Sequence, residues 1–324
     1  MKIGSIISAM AAIAGLHTGT IAFADETFPA RPITFVVPYA PGGPADLIAR
    51  IVADKMSNVA GQTIVVENRA GAGGNIAGDH VARSRKDGYT LLFGSSPVLV
   101  INPGLYQNMK FDPLKDFTPI AEFGSLPNAV LINKNLPVDK VADLVTYSRN
   151  NNATYASAGS GGTTHLSALL FARANNISLT HIPYKGSGPA LQALLADQVT
   201  MTFTDVFTAR PFIESGKLKI LGVTSTTRSE MFPEVKTLQE QGMQGIDVNV
   251  FFALLAPAGI SEFVKNKLSS IAQEVLADKD IQNKLKARGL ILPIDNTPDN
   301  LANRMASETP MWKRIIQETN AKID

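Results

Sequence analysis

The chain has 324 residues, with 30 basic against 28 acidic side chains and no cysteine. Near-neutrality argues against a nucleic-acid partner, whose phosphates demand a clustered basic surface, and zero cysteine excludes a disulfide framework and a thiolate zinc site. With 45% apolar residues, a chain of this length stabilises itself by core burial alone.

Lys2 precedes an apolar stretch from Ile3 to Leu16, and Ala22-Phe23-Ala24 supplies a small-x-small cleavage site, so residues 1–24 read as a secretory signal peptide. The stretch is interrupted by Ser5, Ser8, Gly15 and His17 and is too short for a bilayer span of about 20 apolar residues. Cleavage after Ala24 makes the chain an exported, periplasmic protein of about 300 residues, room for two domains of about 100–200 residues each. It also lowers the formal charge from +2 to about +1. No later segment reads as transmembrane.

Short runs rich in Val, Ile and Phe then alternate with segments of helical period, the pattern of an α/β architecture with largely parallel sheets. Ile33 to Val37 reads as a buried strand, Tyr39 to Gly43 as a loop, and Pro44 onward as a helix with Leu47, Ile48, Ile51 and Val52 on one face. Pro44 suits the first helical position, where its missing N–H is no loss. A strand at Ile64 to Glu67 leads through Gly71-Ala72-Gly73-Gly74 into a helix around Ile76 to Arg85, and Leu91 to Gly94 makes a third strand. After a proline-bearing passage from Pro113 to Pro127 the alternation restarts, with strands near Ala129 to Ile132, Thr154 to Ser157, Leu179 to Pro183, Val199 to Thr204 and Lys219 to Thr224. A helix is expected near Val138 to Arg149. Another apolar run, Val248 to Pro257, precedes a helical tail with segments at Phe263 to Leu276 and Leu301 to Thr319. These patterns predict two lobes, the first from 25–123 and 251–324, the second from 124–250.

Two glycine-bearing loops stand between a strand and a helix N-terminus, at residues 38–46 and 157–166, one in each expected lobe. A helix N-terminus exposes unpaired N–H groups and the positive end of a dipole, and glycine lets an anion approach the backbone closely. In open α/β sheets ligands sit outside the carboxyl ends of strands, where both loops fall. Thr163 and Thr164 add hydroxyl donors. Asp46, in the first turn of its helix, serves either as a dipole-favoured cap or as a pocket acid. Asp205 serves either as an N-cap or as a ligand contact. Lys185 serves either as a partner for a ligand carboxylate or, the favoured reading, as a solvated loop lysine.

Enzyme readings are weaker. Ala158-Gly159-Ser160-Gly161-Gly162 approximates a nucleophile elbow, but His165 falls just inside the following helix, unlike the distant base of such hydrolases, and reads as a core or capping histidine. In Gly71-Ala72-Gly73-Gly74-Asn75-Ile76, Ile76 occupies the third glycine position of a dinucleotide fingerprint. His80, His165 and His181 stand at no metal-ligand spacing.

A dense, ordered series of segments carries a family resemblance. It runs through FPARPITFVVPYAPGGPADLIAR at 28–50, VVENRAGAGGNIAG at 65–78, DGYTLLFG at 87–94, INPGLY at 101–106 and DPLKDFTPIAE at 112–122. It continues with GSGGTTHL at 159–166, HIPYKGSGPALQALLADQV at 181–199, SGKLKILGVTSTTR at 215–228 and LLAPAGI at 254–260. In these the chain resembles the Bug-type extracytoplasmic receptors of tripartite tricarboxylate transporters. The resemblance implies a type II periplasmic-binding-protein fold with a ligand cleft between two α/β lobes, a small carboxylate as ligand, membrane transporter subunits as partners, a monomer, no cofactor and no catalysis. It points to Tyr39, Gly42, Gly43 and Asp46, and across the cleft to Gly162, Thr163 and Thr164, as ligand contacts, with Ser95 and Asp205 beside them. Tyr39 replaces the phenylalanine often seen in the family, Thr163 a common serine, and Phe251-Phe252 a stretch that often bears tryptophan. These departures leave the ligand open among citrate-like, amino, aromatic and amide-type solutes. A sensor that shows its bound solute to a membrane signalling protein is the alternative role.

Overall fold

The computed structural model describes residues 27–319 and residue 321, so the expected signal peptide lies outside the described residues. Nine strands are formed among the described residues: β1 (Ile33–Val37), β2 (Ile64–Asn68), β3 (Thr90–Ser95), β4 (Phe117–Asn133), β5 (Thr154–Ser157), β6 (Thr180–Pro183), β7 (Met201–Asp205), β8 (Leu218–Val223) and β9 (Asn249–Pro257). They make one connected sheet in the order β2-β1-β3-β9-β4-β7-β5-β6, with β8 also paired to β4. At one end β2, β1 and β3 are mutually parallel, and at the other so are β6, β5 and β7. Helices cross between them: α1 (Pro44–Ala60), α2 (Asn75–Ala82), α3 (Asn102–Leu105), α4 (Val141–Asn150), α5 (Thr163–Asn175), α6 (Ser187–Leu195) and α7 (Val206–Glu214). Such crossovers are what parallel pairing requires.

Inside its edge strands β2 and β6 the sheet is buried on both faces, which explains the largely apolar runs of strands such as β1 and β3. Phe35 and Val37 enter one core with Ile48, Val52 and Met56 of α1, while Val36 between them enters the other with Ala77 and Val81 of α2. The C-terminal helices α8 (Glu262–Ala277), α9 (Lys279–Lys286) and α10 (Pro298–Thr319) close the molecule. Helix α8 packs on α1, and α10 lies across β4 and α3 and reaches α5.

The proline-bearing passage departs from expectation. Rather than a connector before a short strand, it is the first two-thirds of β4, a 17-residue strand. Its early part, to Pro127, pairs antiparallel with β9, and Asn128 to Asn133 pairs antiparallel with β7 and β8. The ladder shifts register between Pro119 and Ala121 and again between Glu122 and Gly124. Proline lacks the N–H a regular ladder needs and is tolerated at such irregularities. β4 is thus the strand shared by both ends of the sheet. Arg304 of α10 braces it, pairing with the buried Glu122 and lying over the Phe251 ring of β9 at 4.3 Å. The helix expected to reach Arg85 ends at Ala82, where Ser84 Oγ turns back to the carbonyl of His80.

Candidate functional site

The two strand-to-helix loops are conformational twins. Gly42 and Gly161 lie at φ +86° and +78°, a region glycine enters without the steric penalty of a side chain. Each precedes a second glycine that is the N-cap of its helix, Gly43 at φ −80°, ψ 170° and Gly162 at φ −73°, ψ 171°. Neither α1 nor α5 has a side-chain cap, a feature they share with α2, α4 and α6 but not with α7, α8 and α9, which Asp205, Ser261 and Asp278 cap. The first turns of α1 and α5 therefore present N–H groups with no side-chain acceptor at the positive end of a dipole, an arrangement suited to an anion.

The likeness extends to how each loop is held. The Gly42 N–H donates to Asp46 Oδ2 at 2.9 Å, and the Gly161 N–H donates to His165 Nδ1 at 2.9 Å, each acceptor four residues further on. Asp46 is buried, and its other contacts are Arg50 Nε at 3.1 Å, Arg50 Nη2 at 2.9 Å and Asn68 Nδ2 at 3.0 Å. Burial works against the charge, but the bonds from Arg50, the Gly42 amide and Asn68 outweigh it and hold the carboxyl below its ordinary range. Both oxygens are thereby engaged by the loop's own scaffold. Asn68, given no role in the sequence reading, also donates to the Tyr39 carbonyl at 3.0 Å. Its position at the end of a strand was the available signal.

Tyr39 is half-buried, and its hydroxyl lies 2.7 Å from Ser95 Oγ at the end of β3. Burial pushes the phenol up to about 12, against the opposing bond to Ser95 and with a small further rise from nearby Tyr106. The group is therefore a protonated hydroxyl at neutral pH. Ser95 pairs across β9 with Phe252, which pairs in turn with Gly124 of β4, so this corner abuts the shared strand.

In the second loop, Thr163 and Thr164 are buried in the first turn of α5, and Thr164 Oγ1 accepts the Ala158 N–H at 2.9 Å. A Cβ on Gly161 would stand 2.5 Å from Leu105 Cδ1 at the end of α3. The next residue, Tyr106, reaches the other way, its hydroxyl 2.6 Å from where a Cβ on Gly73 would stand. The Leu105-Tyr106 corner thus touches the second loop on one side and the Tyr39 neighbourhood on the other. Sequence reasoning assigned neither residue a role, although INPGLY was among the resembling segments.

Asp205 ends β7 and accepts both the amide and the hydroxyl of Thr208 at 2.7 Å, while its second oxygen accepts from Ser187 Oγ at 3.2 Å. It caps α7 and ties down the start of α6. Opposite it on β4 is Asn128, fully buried, whose Nδ2 donates to Ser167 Oγ of α5 at 3.0 Å. An asparagine opening the apolar run Asn128-Ala129-Val130-Leu131 was the overlooked signal. Lys185 is exposed.

Two surface concavities of about 610 and 680 Å³ lie elsewhere, one beside α2 and the other beside Arg304 and residues 291–295. Neither is lined by the glycine loops. The first is walled by arginines already paired, Arg31 with Asp87 and Arg83 with Asp79.

Known proteins are similar to this chain in sequence and architecture. The family described as "Tripartite tricarboxylate transporter family receptor" matches residues 48–321. BugT of Bordetella pertussis is 34% identical over 322 residues, covering 98% of each chain. Among solved structures, an R. palustris protein with adipate superposes with a TM-score of 0.84 at 31% identity, over 92% of this chain and all of the other. MatC of Rhodopseudomonas palustris, with bound malate, gives 0.80 at 33% identity over 89% of this chain and all of the other. The periplasmic binding protein BugD gives 0.82 at 32% identity, over 92% of this chain and all of its own.

Proposed function

The chain belongs to the tripartite tricarboxylate transporter family of receptors, and from that premise we propose that it captures a small carboxylate between its two glycine loops and presents it to transporter membrane subunits. The family is one of solute-binding proteins with a periplasmic-binding-protein fold. In this reading the chain acts outside the cytoplasm, after removal of residues 1–24, and without catalysis.

The observation that carries the reading is the pair of uncapped helix starts, one at each end of the sheet, in matching backbone conformation. Amides from Gly43 and Gly162, with the hydroxyls of Tyr39, Ser95, Thr163 and Thr164, are the proposed donors. Gly42, Asp46 and Asp205 shape the loops around them. Hydrogen bonds to a charged group contribute about 1.5–3 kcal/mol each, so four or five together are of the same order as the cost of association, about 4–15 kcal/mol. The relatives solved with adipate and with malate support a dicarboxylate among the first candidates.

Calorimetry on the processed protein across mono-, di- and tricarboxylates tests the proposal. Saturable binding without turnover is expected, and folded, ligand-free protein that binds none of the panel defeats it. A thermal-shift screen narrows the ligand, because 100 times the dissociation constant stabilises by about 2.7 kcal/mol. Deleting the membrane subunits of the cognate transporter should abolish uptake of that ligand. The mass of the exported protein reports the cleavage site.

A further inference from the structure

We propose that His165 is a positioning residue for the ligand loop, its Nδ1 setting the direction of the loop's amides as Asp46 does at the other helix start. The inference rests on the carboxylate-receptor reading for its consequence but on the loop geometry for its substance. The Gly161 N–H points at Nδ1 at 2.9 Å, which requires a lone pair on that nitrogen. Turning this N–H inward fixes the peptide plane before Gly161. Gly161 at φ +78° and Gly162 at ψ 171° then carry the next amides toward the helix start.

The ring itself is held. His165 is 6% exposed and stacks on His181 of β6, ring centroids 4.0 Å apart and planes 11° from parallel. Tyr155 of β5 stacks on His181 in turn at 4.8 Å and 15°. His181 also ties the far end of the same loop, with Nε2 2.6 Å from Ser157 Oγ, which accepts the Gly159 N–H at 3.2 Å. Two stacked imidazoles thus reach both ends of the segment from Ser157 to Gly162. A histidine serving only to fill the core would need neither bond.

Two substitutions separate positioning from packing. In His165→Asn the side-chain carbonyl branches from the same carbon that carries Nδ1, so the acceptor is kept and the ring stack lost. His165→Leu keeps volume and loses the acceptor. Both variants should melt lower than the parent without ligand. Only His165→Leu should speed hydrogen exchange in the peptide spanning 158–166, and only it should weaken adipate or malate binding, by at least about 10-fold, or 1.4 kcal/mol. Equal exchange in the two variants overturns the proposal, and this arm needs no ligand. If the parent binds neither acid, the carboxylate reading is in question while the exchange result still decides the role of His165.

Discussion

The loops at Gly42-Gly43 and Gly161-Gly162 share a backbone and differ in nearly everything that supports it. The first is held by an ionic cluster, with buried Asp46 taking the Gly42 amide and being held by Arg50 and Asn68. The second is held by rings, with His165 taking the equivalent amide and leaning on His181 and Tyr155. What recurs is a glycine at positive φ, a glycine N-cap and an acceptor four residues on, because these set where the amides point. The chemistry of the acceptor is free to vary once something rigid stands behind it.

That comparison can be broken most sharply at Asp46. Asp46→Ala leaves the Gly42 N–H and the Arg50 guanidinium without their carboxylate acceptor and Asn68 with only the Tyr39 carbonyl, and should cost about 2–4 kcal/mol of stability, since bonds to a charged group are among the stronger ones. Thermal melts should show a fall of several degrees. Asp46→Asn keeps one acceptor and should cost less; equal losses would show that the loop does not depend on that bond.

Asp46 also sets a pH signature at the first loop. Its carboxyl is held below the ordinary range, so its contribution is complete above about pH 4 and lost as pH falls through the lower folded value. The stability gap between parent and Asp46→Asn should therefore close in acid. A gap that widens there would contradict the assigned bonds.

A smaller contrast lies at the positive-φ glycines. Gly42→Ala meets nothing within 4 Å, whereas Gly161→Ala places a Cβ 2.5 Å from Leu105 Cδ1. Both incur the left-handed penalty of about 1–2 kcal/mol; only Gly161→Ala must also move the Leu105 side chain. Its affinity loss in calorimetry should be the larger. Thr164→Ala, which removes a hydroxyl and the acceptor for the Ala158 N–H, should weaken binding by about 1 kcal/mol, roughly fivefold. Lys86→Ala, at an exposed position away from both loops, should leave affinity unchanged, and equal losses at 86 and 164 would argue against this site.

Much of the architecture was legible in the chain. β1 and β5 fall where their apolar runs place them, at Ile33–Val37 and Thr154–Ser157, and α1 begins at Pro44. Helix α9 was legible only as part of a helical tail, without bounds of its own, and the first two-thirds of β4 was not legible. In the latter, Pro119 and Pro127 look like loop residues until β9 supplies a partner whose irregular register accommodates them. The site divides in the same way. The glycine loops and their threonines stand out locally, whereas Asn68, Leu105, Tyr106, Asn128 and His181 carry no local mark of what they touch.

By itself, then, the sequence determined most of the segments that become strands and helices and where two glycine-led helix starts occur. Apolar periodicity and the steric freedom of glycine act over a few residues. Only the tertiary structure decided that Tyr39 meets Ser95, 56 positions away, that Asn68 closes the Asp46 cluster, and that His165 and His181 lie face to face. Those pairings depend on the order and register of strands distant along the chain, which follow from how two buried sheet faces pack together.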